Sequence, residues 1–197
     1  VNAALAVRLP GIAIVGGGPA GLMAAETIRA AGIEVDVFDA MGSVGRKFLM
    51  AGRGGLNLTH SEAAGPFLAR YGARAQQVAP WLAALDADGL RDWAHGLGIQ
   101  TFVGSSGRVF PEEMKAAPLL RAWLARLRAS GVRLHMRHRW LGWPPGASPS
   151  AGALRFDTPA GEQAYAADAV VLALGGGNLF IKAARAALRG GCHLIVV

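Results

Sequence analysis

The chain has 197 residues, of which 17% are charged and one, Cys192, is a cysteine, and its formal net charge is +7. A single cysteine excludes a disulfide scaffold, a cysteine-ligated metal centre and a two-cysteine redox pair, and it fits a reducing, cytoplasmic setting. The positive charge is mostly arginine spread along the chain without an aromatic-basic block, so no nucleic-acid partner is expected, and no apolar run reaches the length of a membrane span.

The first element is a short apolar strand in the run Gly11–Val15, where Ile12, Ile14 and Val15 suit one buried strand of a parallel sheet. Gly16, Gly18 and Gly21 follow at the spacing G-x-G-x-x-G, and Pro19 to Arg29 has the composition of a helix. Each glycine answers a physical need: Gly16 a tight turn, Gly18 the approach of a pyrophosphate, Gly21 the close packing of helix on strand. The anion would sit on unpaired N–H groups at the positive end of the helix. Pro19 suits the first turn, where its missing N–H has no intrahelical partner. Gly32 ends the helix as a C-cap would, Glu34–Phe38 reads as the second strand, and Asp39 stands at its carboxyl end. Asp39 lies 18 residues beyond Gly21, near the ~20 expected for a carboxylate that binds ribose hydroxyls. An acid there disfavours a 2′-phosphate.

The stretch from Ala40 to His60 carries Gly42, Gly45, Gly52, Gly54 and Gly55 and is not expected to form one continuous helix. Arg46 and Lys47 place two cations where they can reach phosphates, while Arg53, Asn57 and Thr59 offer donors and acceptors to a polar ring system; the plainer alternative is a basic surface loop. From Ser61 to His95 the pattern is helical, in segments Pro66 to Tyr71, Pro80 to Leu85 and Leu90 to His95, broken near Gly89. Trp81, Leu82 and Leu85 recur at helical spacing, as do Leu90, Trp93 and Leu97, which assigns both tryptophans to a core. Ile99–Val103 and Arg108–Phe110 read as an antiparallel pair around the turn Gly104–Gly107. Leu119 to Arg128 is an amphipathic helix closed by Gly131.

Val132 to Trp143 reads as one strand, and a Pro/Gly/Ser loop follows to Gly152. Ala153–Asp157 and Glu162–Tyr165 form a hairpin around Pro159–Gly161, and Ala169–Leu172 is a buried parallel strand running into glycines. Asn178 N-caps a helix to Leu188, and Cys192–Val197 begins a further strand, so the chain reads as the N-terminal part of a longer protein. On a single strand His135 and His138 point to opposite faces and make no metal pair, so no metal site is expected. Glu112 and Glu113 are adjacent, a spacing unsuited to paired-carboxylate hydrolysis.

Four stretches together carry a resemblance: Val15–Glu26, Gly45–Thr59, Gly107–Pro111 and Leu172–Gly176. They resemble the BaiN/YhiN-like (aminoacetone-oxidase-like) NAD(P)/FAD-dependent flavoproteins, over about Pro10 to Gly176. The resemblance implies an α/β, Rossmann-like FAD-binding domain of the two-dinucleotide-binding-fold type, with a helical and β-hairpin insertion and a β-meander. Its parts would be residues 1–60 as the first portion of the FAD domain, 61–130 as the insertion, and 131–197 as meander and return strand. It implies that the Gly16–Gly21 loop, with Pro19 and Ala20, and Asp39 with Ala40 hold the pyrophosphate and ribose. Gly45, Arg46, Lys47, Gly54, Asn57, Leu58 and Thr59 would line the flavin side. Trp140 would present a strand backbone to the adenine, and Ala173, Leu174, Gly175 and Gly176 would close over the cofactor. Gly177–Phe180 departs from the family's Ser-Trp-containing continuation, and members are longer chains.

The expected function is an FAD-binding oxidoreductase moving hydride or electrons through the flavin, with NAD(P)H as electron donor. The alternative is a non-catalytic, truncated nucleotide-binding fragment of such an enzyme. No acid or base is assigned; Lys115, after the Phe110–Pro111 turn, is a candidate beside the plainer reading of a helix-start lysine.

Overall fold

The structure, a computed structural model, describes residues 6–51, 54–144, 153–175 and 195–196. The chain divides into two compact units, Val1–Arg46 with Leu127–Val197, and Lys47–Arg126. Its elements in order begin with β1 (Val7–Arg8), β2 (Ile12–Val15), α1 (Pro19–Ala30), β3 (Val35–Asp39) and α2 (Arg46–Ala51). Then come β4 (Thr59–His60), α3 (Ala64–Ala69), α4 (Ala75–Ala84), α5 (Ala87–Gly96), β5 (Thr101–Val103), β6 (Arg108–Pro111) and α6 (Ala116–Ala129). The last are β7 (Arg133–Met136), β8 (Arg139–Gly142), β9 (Ala153–Thr158), β10 (Gly161–Ala166), β11 (Ala169–Leu172) and β12 (Ile195–Val196).

The first unit is built on a five-stranded sheet in the order β12-β11-β2-β3-β7, parallel at every pairing. β2 registers Ile12 on Val35 and Val15 on Phe38 on one side, and Ile12 on Ala169 and Val15 on Leu172 on the other. Strand alternation then sorts the core. Ala13, Val15, Phe38, Val170 and Leu172 gather on one face with Leu154, Phe156 and Tyr165 of β9 and β10. Those strands, with β1 and β8, make the second sheet, β1-β10-β9-β8, in which the β9–β10 hairpin turns at Pro159–Ala160. Ile14, Val35 and Val37 are fully buried from the opposite side, where α1 packs on β2 and β3 with Leu22 and Ala25 buried.

The second unit holds an antiparallel sheet, β4-β6-β5, and the helices α3 to α5. Its core gathers Leu56, Ala94, Ala116 and Leu119, with Phe48, Leu58, Trp93, Leu97 and Ile99 packed against them. Trp123 is buried and meets Trp93 edge-on at 4.9 Å.

Several expectations need correction. Trp81 is 69% exposed and not core, because Val78 and Leu82, one turn apart on α4, take the half-buried positions. Pro80 lies inside α4 and does not open a helix, which begins earlier, at Ala75. The helices break at Leu85–Asp86 and not near Gly89: Leu85 is extended, and the Asp86 carboxylate caps α5 by accepting from the Gly89 N–H at 2.7 Å. Residues 132–143 form two strands in two sheets, divided where Arg137 takes a φ of +58°. That break undoes the argument about the histidines, whose rings lie 5.6 Å apart and both pack against Phe38. Each ring has a partner of its own: His135 Nε2 meets Asp36 Oδ1 at 2.7 Å, and His138 Nδ1 meets the Met136 carbonyl at 2.8 Å. The helix expected from Asn178 to Leu188 lies outside the described residues.

Asp36 is the one fully buried carboxylate among the described residues, on a strand otherwise apolar inside. Arg133 on β7 donates to both of its oxygens at 2.8 Å and to Glu34 at 2.6 Å. Burial by itself pushes the Asp36 pKa up, but the hydrogen bonds from Arg133 and His135 and their charges outweigh it, so the carboxyl is held below its ordinary value. A depressed folded pKa contributes stability above the unfolded value of about 3.9 and loses it as pH falls through the folded one. Arg133→Met should therefore cost about 1.5–3 kcal/mol at pH 7. Urea unfolding should show the gap to the parent closing below about pH 4; a gap that stayed constant to pH 3 would contradict the assignment.

Candidate functional site

β2 ends at Val15, between β11 and β3, where the chain order of the sheet reverses. In open α/β sheets that switch point, beyond the strands' carboxyl ends, is where ligands bind. The turn there is set by backbone contact. The Gly16 N–H donates to the Phe38 carbonyl and the Ala173 N–H to the Val15 carbonyl, each at 2.8 Å. Gly16 has a φ of +111°, and a Cβ on it would lie 2.2 Å from the Ala173 oxygen. A Cβ on Gly21 would lie 1.9 Å from the Gly16 oxygen, so α1 comes down directly on the end of β2. Gly17 is closed as well, with Val44 Cγ1 at 2.2 Å from its Cβ position.

Gly18 differs. A Cβ there would meet nothing within 4 Å. Gly18 is also the N-cap of α1 and supplies no side-chain bond, Pro19 follows it, and no acid occupies the first turn. No side chain at the cap or in the first turn neutralises the positive end of the helix, and the space at the Gly18 Cβ position is open.

Asp39, half-buried at the end of β3, faces this turn. Its Oδ2 accepts from the Gly17 N–H and its Oδ1 from the Met41 N–H, both at 2.8 Å. A carboxylate has about four lone-pair sites, so each oxygen retains capacity for a hydroxyl donor. Gly45, buried, donates its N–H to the Gly17 carbonyl at 2.8 Å. The structure therefore brings Gly16, Gly18, Gly21, Asp39, Gly45 and Ala173 around one turn. The sequence reading passed over Gly17, Met41 and Val44, which hold that turn through backbone and packing. The triple glycine was the one signal of Gly17.

The other expected residues are distributed as follows. Pro19, Ala40 and Arg46 are exposed, Ala20 and Leu174 are half-buried, and Gly175 has a φ of +69°. Trp140, on β8, packs its ring against the core beneath the meander and lies edge-on to Trp143 at 5.4 Å. Gly176 lies outside the described residues. Lys47, Gly54, Asn57, Leu58 and Thr59 belong to the second unit. There Asn57, Leu58 and Thr59 line a cavity of about 470 Å³ together with His60, Arg70 and Arg108. Lys115 is exposed, immediately before α6. Among the described residues no helix is long and apolar enough to cross a membrane.

The profile of the HI0933-like protein Rossmann domain family matches residues 10–181. The chain belongs to that family. No curated protein matches it in sequence. Among solved structures, the HI0933-like chain is similar to an open conformation of a flavocytochrome c3 fumarate reductase, with 22% identity and a TM-score of 0.67 over 88% of this chain and 35% of that one. A 3-ketosteroid-Δ4-(5α)-dehydrogenase from Rhodococcus jostii RHA1 matches with 14% identity and a TM-score of 0.64, over 86% of this chain and 46% of that one. THI4 from Thermovibrio ammonificans matches with 16% identity and a TM-score of 0.61, over 90% of this chain and 62% of that one. At these identities the likeness shows the fold, that of a Rossmann-like FAD-binding domain, and the HI0933-like chain spans only part of each relative's length.

The glycine geometry separates two substitutions that look alike in sequence. Gly21→Ala should lower stability by about 1–3 kcal/mol, because backbone must move to admit the methyl group. Gly18→Ala, at an ordinary φ of −77° with open space, should unfold within about 0.5 kcal/mol of the parent. Thermal or urea unfolding of the two side by side checks the order.

Proposed function

We propose that this chain binds FAD at the turn after β2 and forms the nucleotide-holding part of a flavoprotein oxidoreductase of the BaiN/YhiN-like group. One observation carries the reading. The open Gly18 position at the uncapped start of α1 is a cradle that a Cβ would fill and a pyrophosphate fits, beside a carboxylate fixed on Gly17 and Met41.

In this assignment the N–H groups of Gly18, Ala20 and Gly21 point at the pyrophosphate, and Gly16 and Pro19 shape the turn that presents them. Asp39 accepts from the ribose hydroxyls. Ala40 and the Trp140 backbone lie toward the adenine. Gly45 and Arg46 flank the phosphates, Ala173 to Gly176 cover the cofactor, and Lys47, Gly54, Asn57, Leu58 and Thr59 serve the flavin side. The bound flavin would supply hydride or electron transfer, with NAD(P)H as donor. The protein's own part is to bind, orient and shield. A reducing, cytoplasmic setting goes with this reading, supported by one cysteine in 197 residues.

The test is the visible absorption of the purified chain, followed by titration of apoprotein with FAD. Stoichiometric flavin, and binding at least about tenfold weaker in Gly18→Val with unchanged unfolding, is the expected result. A chain that is colourless and takes up no added FAD would overturn the proposal. Retained FAD that neither NADH nor NADPH reduces would restrict it to nucleotide binding.

A further inference from the structure

Five arginines of the first unit are ion-paired: Arg8 with Asp168, Arg29 with Glu34, Arg133 with Asp36, Arg139 with Asp157 and Arg155 with Glu162. Arg46, Arg128 and Arg137 have no ion pair among the described residues; Arg137 is exposed, and its guanidinium has no hydrogen-bond partner there either. It is also one of two non-glycine residues there with a positive φ, at +58°. Such a conformation persists where surroundings impose it, and it clusters at functional sites.

What imposes it is the turn after Asp39. The Arg137 N–H donates to the Met41 carbonyl and the His138 N–H to the Asp39 carbonyl, each at 2.9 Å. Met41 in turn donates to the Asp39 carboxylate. The left-handed step at Arg137 is thus laced to the same loop that holds the ribose-facing acid, at the carboxyl ends of β3 and β7. The side chain comes to rest over Gly42, with its Nε 3.7 Å from where a Cβ on that glycine would sit. The planar cation thus lies beside a residue with no side chain of its own and is exposed to solvent.

The geometry points to Arg137 as a binding residue for the adenine ring of the dinucleotide, with its guanidinium stacked on the base. This rests on the FAD reading above and deepens it. The base hangs one glycosidic bond from the ribose that Asp39 would hold, so it must lie close to this loop. An arginine is suited to the role because its guanidinium is planar, weakly hydrated and favourable over an aromatic face. A lysine keeps the charge and loses the plane.

Calorimetric titration of the 197-residue chain and of its Arg137→Ala and Arg137→Lys variants, with FAD, ADP, 2′-phospho-ADP and FMN as probes, tests this. Both variants should bind FAD and ADP roughly three- to tenfold more weakly than the parent, with the same urea midpoint. FMN, which has no adenine, should bind the three proteins alike. Parent binding of FAD and ADP with no change in either variant would overturn the stacking role and leave the FAD reading standing. Recovery in Arg137→Lys, or a loss confined to 2′-phospho-ADP, would overturn it in favour of simple charge. A parent that binds neither FAD nor ADP removes both inferences together.

Discussion

Three backbone segments meet at the end of β2 with no room for a side chain between them. The carbonyl of Gly16 lies against Cα of Gly21, and the carbonyl of Ala173 lies against Cα of Gly16. This approach fixes where α1 begins, how close it lies to the sheet, and where the chain leaves β11. The rest follows from it. α1 can bury Leu22 and Ala25 on β2 and β3 only because Gly21 lets it come down that far. The one glycine of the loop left without neighbours, Gly18, is then the point where the helix's unpaired N–H groups meet open space.

The same economy of side chains governs the opposite wall of the turn. Asp39 uses its carboxylate as a clamp, drawing in the N–H of Gly17 on one side and of Met41 on the other. The β7–β8 corner is tied to that loop by the N–H groups of Arg137 and His138. Beneath it, Phe38 stacks with His135 at 4.5 Å and with Phe156 at 4.4 Å, joining the parallel sheet to the meander. Asp36, two residues earlier on the same face, cannot contribute apolar area and is held instead by Arg133 and His135. β3 therefore carries a charged anchor at Asp36 and an aromatic anchor at Phe38 at alternate positions along one face, and ends at Asp39. That arrangement explains how an edge strand as short as β7 stays in register.

Much of this was legible in the sequence because it depends on local rules. The glycine spacing, the apolar runs of β2 and β11, and the Pro159–Gly161 hairpin each express a constraint contained within a few residues. The unread parts depend on partners distant in the chain. Arg137 breaks a stretch that is uniformly strand-like in composition, and only Met41, 96 positions away, shows why. Trp81 fits a helical apolar pattern, yet periodicity cannot say which of Val78, Trp81 and Leu82 faces inward when all three are apolar. Asp86 was legible: an aspartate immediately before the helical run Ala87–Gly96 is an N-cap signal, and Gly89, inside that helix, resembles a breaker.

The turn is held almost wholly by main-chain atoms: the N–H groups of Gly16, Gly17, Met41, Gly45 and Ala173. A main-chain hydrogen bond does not specify the residue that makes it. What sequence must preserve is therefore mostly absence, namely glycines where a Cβ would collide, plus one carboxylate able to accept from both sides. This is a physical reason that relatives sharing between 14% and 22% of their residues with this chain keep the same fold over most of its length. It also directs attention to the side chains that do not help hold the turn. Gly18 has open space at its Cβ position, and Arg137 carries an exposed charge with no ion-pair partner among the described residues; the proposed recognition of FAD would draw on both.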